Sequence, residues 1–165
     1  MPDFKLLIGG QFVAGAHEIQ LVGALGTALG ERADEFARQL TAEQGKPVNQ
    51  ARMESMASTM VLRAFSQMDV TPKVLRDNEK GKVIEVRAPL GVVATITPWN
   101  FPIIPLMHKV GPALLACNTV AIKPAPTTPL TTLLFGRICQ QILPPGVVNI
   151  ICDRNDLGAA VTSLR

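Results

Sequence analysis

Two polar side chains stand where apolar runs of this 165-residue chain end: Asn100 after Leu90 to Ile96 and a proline-rich break, and Lys123 directly after Thr119 to Ile122. An asparagine amide can donate and accept hydrogen bonds, and a lysine ammonium brings a point charge with three donors. The segment between them, Ile103 to Cys117, is spaced as a helix. Strand, helix and strand then occupy about 35 residues, the size of a βαβ unit. Asn100 and Lys123 thereby fall just past the carboxyl ends of neighbouring parallel strands, the edge at which open α/β sheets bind ligands. Plainer readings stand beside these, an asparagine bonding its own turn and a lysine solvated at a strand end. Of the three cysteines, Cys152 ends a third apolar run at the same edge and is the one placed to react. Cys117 and Cys139 read as small core residues of helices. His108 reads as a helix histidine rather than a base. An odd number of cysteines without a CxxC pair argues against a disulfide frame or a zinc site, and no metal-ligating set is expected.

The elements that must position these groups follow from periodicity. Leu90 to Ile96 is apolar and β-branched without clear alternation, as in a strand buried on both faces. Thr97 to Pro102 breaks it, because neither proline can donate to a ladder. Thr128 can cap a further helix with Pro129 at its first position, and Leu130, Leu134, Ile138 and Ile142 follow at helical spacing. Pro144-Pro145-Gly146 ends that helix, and Val147 to Cys152 is a third strand. The sum is β-α-β-α-β over about residues 90–152, an incomplete Rossmann-like, doubly wound parallel sheet of the α/β class.

Upstream, Phe4 to Val13 reads as a hairpin turning at Gly9-Gly10, and Gly15 to Gln20 as a polar connection. One helix is expected from about Leu21 to Leu40, weakened by Gly23, Gly26 and Gly30, which do not form GxGxxG. Glu43-Gln44-Gly45-Lys46-Pro47 is a helix stop. A second helix spans about Val48 to Met68, with Met53, Met56, Met60 and Ala64 as an apolar face for core packing or a partner. Thr71 to Lys82 reads as a loop, and Lys82 to Arg87 alternates as a half-exposed strand.

Composition fits one soluble globular domain, with 47% apolar and 18% charged residues and a net charge of +3. Scattered charge, one Trp and no Tyr make nucleic acid a poor partner. Met1 to Gly10 lacks a signal peptide's basic start and apolar core, and no apolar stretch reaches the ~20 residues that span a bilayer. A cytoplasmic location without membrane contact is expected.

Taken together, Pro98-Trp99-Asn100-Phe101-Pro102, Gly111-Pro112-Ala113-Leu114-Leu115-Ala116 with Asn118-Thr119-Val120, Lys123-Pro124-Ala125 and Pro145-Gly146-Val147-Val148-Asn149 resemble the NAD(P)-dependent aldehyde dehydrogenase superfamily. The likeness covers its N-terminal part, from Leu21 to Arg165, with Phe4 to Gly15 similar to its first hairpin. Some tens of residues that the family would place near residues 17–21 are lacking. The resemblance implies one NAD(P)-binding domain over residues 1–165, with residues 82–88 corresponding to part of an oligomerisation arm. It makes Asn100 the amide that donates to the oxyanion formed when a cysteine attacks an aldehyde. It assigns Lys123 to the adenosine ribose hydroxyls and Ile96, Thr97, Pro98 and Trp99 to the dinucleotide groove, with Pro124, Ala125 and Pro126 continuing it. Many members carry at the position of Pro126 a glutamate that binds the ribose and favours NAD. Proline supplies no carboxylate, so NAD and NADP both remain open, with weak binding expected.

The family's second glycine-rich segment, general-base glutamate and cysteine-bearing catalytic domain have no counterpart in these residues. The implied parent reaction is oxidation of an aldehyde to a carboxylic acid through a cysteine thiohemiacetal, and the chain alone is expected not to perform it. The alternatives are a non-catalytic interaction protein, pairing with itself or a full-length relative, and a minimal nucleotide-binding module.

Overall fold

A computed structural model describes residues 5–8, 11–14, 18–154, 156 and 158–163. The expected hairpin is present as β1 (Lys5–Ile8) and β2 (Gln11–Ala14), antiparallel from Lys5 opposite Ala14 to Ile8 opposite Gln11. Its Gly9-Gly10 turn and residues 15–17 lie outside the described residues.

The single helix expected over Leu21 to Leu40 is two, α1 (Glu18–Glu31) and α2 (Ala33–Gln44). Arg32 leaves helical geometry between them (φ −108°, ψ 16°), and its guanidinium grips Glu35 in two hydrogen bonds of 2.7 and 3.0 Å. The bend lets Val22, Leu25 and Leu29 of α1 and Phe36 and Leu40 of α2 all reach full burial.

The third helix, α3 (Val48–Phe65), forms as expected but presents the opposite face. Met53, Met56 and Met60 are 55–69% exposed, whereas Ala51, Glu54, Ser55, Ser58, Thr59 and Leu62 are buried. Size decides this. Ser55, Ser58 and Thr59 return their hydroxyls to the carbonyls of Ala51, Glu54 and Ser55 at 2.8–3.1 Å, so they enter the core without unpaired groups. Their small side chains let α1 approach closely. A Cβ on Gly26 would lie 3.2 Å from Leu62 Cβ, and one on Gly30 would lie 3.0 Å from Thr59 Cγ2. Both glycines are contact points rather than weaknesses in α1.

Residues read as a loop after α3 instead contain β3 (Lys73–Asn78), which pairs antiparallel with β4 (Gly81–Glu85). Asn78 accepts from the Lys80 amide at 3.0 Å and Gly81 takes φ +120°, so the turn is made by side-chain mimicry and a glycine. The hairpin is exposed on both faces rather than half-exposed.

The remainder follows the expected order: β5 (Val92–Ile96), α4 (Ile104–Leu115), β6 (Thr119–Lys123), α5 (Leu130–Ile142), β7 (Val148–Ile150) and the short α6 (Gly158–Thr162). The strands form a parallel sheet in the order β5-β6-β7, with Val92 opposite Thr119 and Ile96 opposite Lys123. This is an α/β fold with a Rossmann-like parallel sheet. α4 packs on β5 and β6, α5 on β7, and α1 to α3 pack behind these helices. The two-sided burial expected of Leu90 to Ile96 fails for β5, where Val92 is 65% exposed, and it is β6 whose residues Val120 to Lys123 are all buried. β5 is one of the sheet's two edge strands among the described residues, so its outer margin lacks cover, and Val92 and Ala94 of one face are exposed.

The α1–α3 contact yields a first expectation. Gly26→Val would drive a branched side chain into Leu62 and the Arg63 backbone. Overpacking of this kind should lower stability by about 1–3 kcal/mol in urea denaturation.

Candidate functional site

At the carboxyl edge of the sheet the chain is tied strand to strand. Beyond the last pair, Ile96 with Lys123, the Thr97 amide donates to the Lys123 carbonyl at 3.1 Å. The Lys109 ammonium of α4 donates to the Ile96 carbonyl. Asn118 fixes the other end of the unit. It is buried, its Oδ1 accepts from the Leu90 and Gly91 amides at 2.6 and 2.9 Å, and its Nδ2 donates to the Ala113 carbonyl.

The loop after β5 exposes Pro98, Trp99 and Asn100 while burying Thr97 and Pro102. Among the described residues, nothing hydrogen-bonds the Asn100 side-chain amide, so it does not close its own turn. The loop's backbone, by contrast, is firmly held. Gln44 Nε2 donates to the carbonyls of Trp99, at 3.1 Å, and Asn100. Lys46 Nζ donates to the Asn100 carbonyl at 3.2 Å and to the Glu54 carboxylate, and sits 4.1 Å above the Phe101 ring. The second Glu54 oxygen accepts from the Ile103 amide at 3.1 Å. Sequence reasoning missed Gln44, Lys46 and Glu54. The signal available was Glu54 itself, a carboxylate at helical spacing among Ala51, Ser55 and Ser58.

Lys123 is not a solvated strand end. Its side chain is 4% exposed, and Nζ lies 2.8 Å from a carboxylate oxygen of Asp153, itself 1% exposed, and 3.4 Å from the Pro124 carbonyl. Pro124 is buried beside it, Ala125 is half-buried and Pro126 is exposed.

The helix that follows is not capped by Thr128, whose buried hydroxyl finds no hydrogen-bond partner among the described residues. Glu43, from the end of α2, accepts from the Leu130 amide at 2.7 Å, the Thr131 amide at 3.1 Å and the Thr131 hydroxyl. A carboxylate on the orphan amides of a helix N-terminus satisfies both hydrogen bonding and the helix dipole. Tertiary contact has replaced the local cap.

Neither Cys139 nor Cys152 is activated. Burial pushes Cys139 up to about 12. Cys152 is raised first by burial and then by the neighbouring Asp153 charge, with Lys123 only partly opposing. Cys117 ends α4 in left-handed geometry (φ 59°). His108 is an exposed helix residue edge-on to Phe65 at 6.5 Å. Among the described residues no group of three metal-ligating side chains occurs, and no helix is long and apolar enough to cross a membrane.

A parallel sheet whose carboxyl edge presents a held loop, an exposed indole, an unengaged amide and a buried ammonium belongs to the Rossmann-like α/β class, in which this edge is where ligands bind. The aldehyde dehydrogenase family model matches residues 13–164, and the chain belongs to that family. It is 38% identical over 144 residues to 3,6-anhydro-alpha-L-galactose dehydrogenase of Streptomyces coelicolor, covering 85% of this chain and 29% of the relative. A crystal structure of an aldehyde dehydrogenase from Brucella melitensis biovar abortus superposes with a TM-score of 0.80 at 33% identity, over 88% of this chain and 32% of that one. PnpE in complex with nicotinamide adenine dinucleotide superposes with a TM-score of 0.81 at 30% identity, over 89% and 31% of the two chains. The chain thus spans about 30% of the length of proteins it matches.

The Lys123–Asp153 pair gives a second expectation. Removing one partner of a buried ion pair leaves an uncompensated charge, so Asp153→Asn should lower stability by about 3–5 kcal/mol. Chemical denaturation at pH 7 checks this, and the double variant Lys123→Met/Asp153→Leu should recover much of the loss.

Proposed function

We propose that this chain supplies one wall of a nicotinamide dinucleotide groove and the oxyanion-stabilising amide for NAD(P)-dependent aldehyde oxidation, and that its 165 residues alone do not complete that reaction. The observation that carries the reading is the register of Ile96 with Lys123, which brings the Trp99-Asn100 loop and the Lys123 to Pro126 turn to one sheet edge. In this reading Ile96, Thr97, Pro98 and Trp99 line the groove with Lys123, Pro124, Ala125 and Pro126. Their surfaces fit such a ligand: the indole is 61% exposed and Pro126 is open to solvent. Among the described residues the three N–H groups of Lys123 Nζ meet two acceptors, the Asp153 carboxylate and the Pro124 carbonyl, and in this reading the third serves a ribose hydroxyl. Pro126 offers no carboxylate against a 2′-phosphate, so either nucleotide is accommodated. When bound, the nucleotide supplies the hydride acceptor.

Asn100 would serve the acyl chemistry. An amide already fixed where negative charge develops needs no reorganisation in the transition state, and losing such a donor typically costs about 10²–10³ in rate. Thiohemiacetal formation also needs a thiolate, and deacylation needs a base that activates water. The thiols Cys139 and Cys152 are held above their ordinary range, the opposite of an activated nucleophile.

A thermal melt with millimolar NAD or NADP tests the groove. An upward shift of about 2–4 °C is expected, reduced in Trp99→Ala and retained in Asn100→Ala. A melt indifferent to both nucleotides overturns the groove assignment. Sustained nucleotide-dependent oxidation of an aldehyde panel by the pure chain, abolished by Asn100→Ala, overturns the claim that these residues alone are inactive.

A second reading is favoured by the β3–β4 hairpin, which exposes Val74, Leu75, Val83 and Ile84, with exposed Val86 just beyond it. Such a ribbon offers unpaired edges and apolar side chains to another sheet, either a second copy or a full-length relative. Light scattering should find a species larger than 17.7 kDa. A monodisperse monomer at 100 μM (on the order of the concentrations at which weak interfaces form) excludes self-pairing.

A further inference from the structure

The helix-stop run Glu43-Gln44-Gly45-Lys46-Pro47 does more than end a helix. Gly45 adopts φ +80°, donates its amide to the Thr41 carbonyl and reverses the chain, with Pro47 starting α3. Gln44 and Lys46, on either side of that glycine, both reach the carbonyl of Asn100. Glu54, one turn into α3's buried face, takes the Lys46 ammonium on one oxygen and the Ile103 amide on the other. The loop carrying Asn100 is therefore held at its 99, 100 and 103 backbone positions from one corner of the fold, while the Asn100 amide stays unengaged and exposed.

We infer that Gln44, Lys46 and Glu54 are positioning residues for Asn100: they fix the backbone of the loop so that its side-chain amide is presented at the sheet edge. This inference rests on the proposed role of Asn100 for its functional meaning, but the positioning itself is a separate physical property. Packing alone would not select these residues. Lys46 and Glu54 are 9% and 1% exposed as side chains, and burying an ion pair is worth less than burying apolar groups of the same volume. What the pair gives that apolar groups cannot is direction. Its N–H bonds and its second carboxylate oxygen terminate on named backbone atoms around Asn100, and a carbonyl fixed by two donors also fixes the peptide plane from which the next residues depart. A charged donor on a carbonyl shortens and strengthens that bond relative to a neutral one.

Trp99 is the only tryptophan and lies in this loop, so its fluorescence reports the loop alone. In the full chain, Gln44→Ala and Lys46→Met should each raise the amplitude of the nanosecond component of Trp99 anisotropy decay at least twofold. Ile138→Val, in the buried face of α5 and about two turns beyond the helix start that Glu43 caps, serves as the control. It should lower the melting temperature and leave that amplitude unchanged, which separates positioning from general destabilisation. In the unmodified protein, the Ile103 amide should exchange with solvent as slowly as interior amides of α4. Folded Lys46→Met and Gln44→Ala proteins with unaltered Trp99 anisotropy would overturn the inference. If those variants fail to fold, an Ile103 amide exchanging as fast as exposed loop amides in the unmodified protein would overturn it, and slow exchange would support it. None of these readouts uses nucleotide or aldehyde, so failure of the proposed function would leave them standing, and the reverse.

Discussion

The buried carboxylate of Glu54 is the constraint on which much of the arrangement depends. An ionised side chain in a core must be fully satisfied by partners, and this one is met by Lys46 from the α2–α3 corner and by the Ile103 amide at the entrance to α4. That requirement couples three parts of the chain distant in sequence: the end of α2, the buried face of α3 and the loop after β5. It also explains why α3 turns its small and polar residues inward. A helix that must deliver a carboxylate to a buried position and still pack against α1 and α4 needs small neighbours around that carboxylate. Alanine, serine and threonine meet both needs.

The same corner governs the second strand end. Glu43 reaches the first amides of α5, so α2 closes with one side chain on the helix after β6 and the next on the loop after β5. Both crossovers of the parallel sheet are thus referenced to one helix terminus. Consecutive helical residues point about 100° apart, so Glu43 and Gln44 reach different targets, and the left-handed Gly45 after them turns the chain so that Lys46 returns to the same loop as Gln44. Beyond the sheet edge, Lys123 and Asp153 tie the end of β6 to the segment after β7. The carboxyl edge is therefore built from backbone held by buried charge, a rigid support of the kind a binding or catalytic group requires.

In the proposed reading, the chemistry of this edge is hydrogen-bond donation. An exposed amide, an exposed indole and a buried ammonium share this edge, while burial and the Asp153 charge push the Cys152 thiol above its ordinary range. Membership of the aldehyde dehydrogenase family gives that edge its context, and the chain covers about 30% of the length of the relatives it matches.

What the sequence determined by itself was local. Apolar run length set β5, β6 and β7, proline placement set the loop after β5, and helical spacing set α3, α4 and α5, because each depends on neighbours within a few residues. The strand-end positions of Asn100 and Lys123 were legible for the same reason, since a βαβ unit leaves little freedom in where its strands stop. Only the tertiary structure decided which face of α3 is buried, that α1 and α2 part at Arg32, that β5 lies at the sheet margin, and that Glu43 rather than Thr128 caps α5. It alone paired Lys123 with Asp153 and gave Glu54 its partners. Periodicity measures where apolar side chains recur, and the methionines of α3 recur as regularly as a core would. Which face goes inside was settled by how closely α1 could approach and by whether each buried polar group found a partner, and both depend on residues far away in the chain.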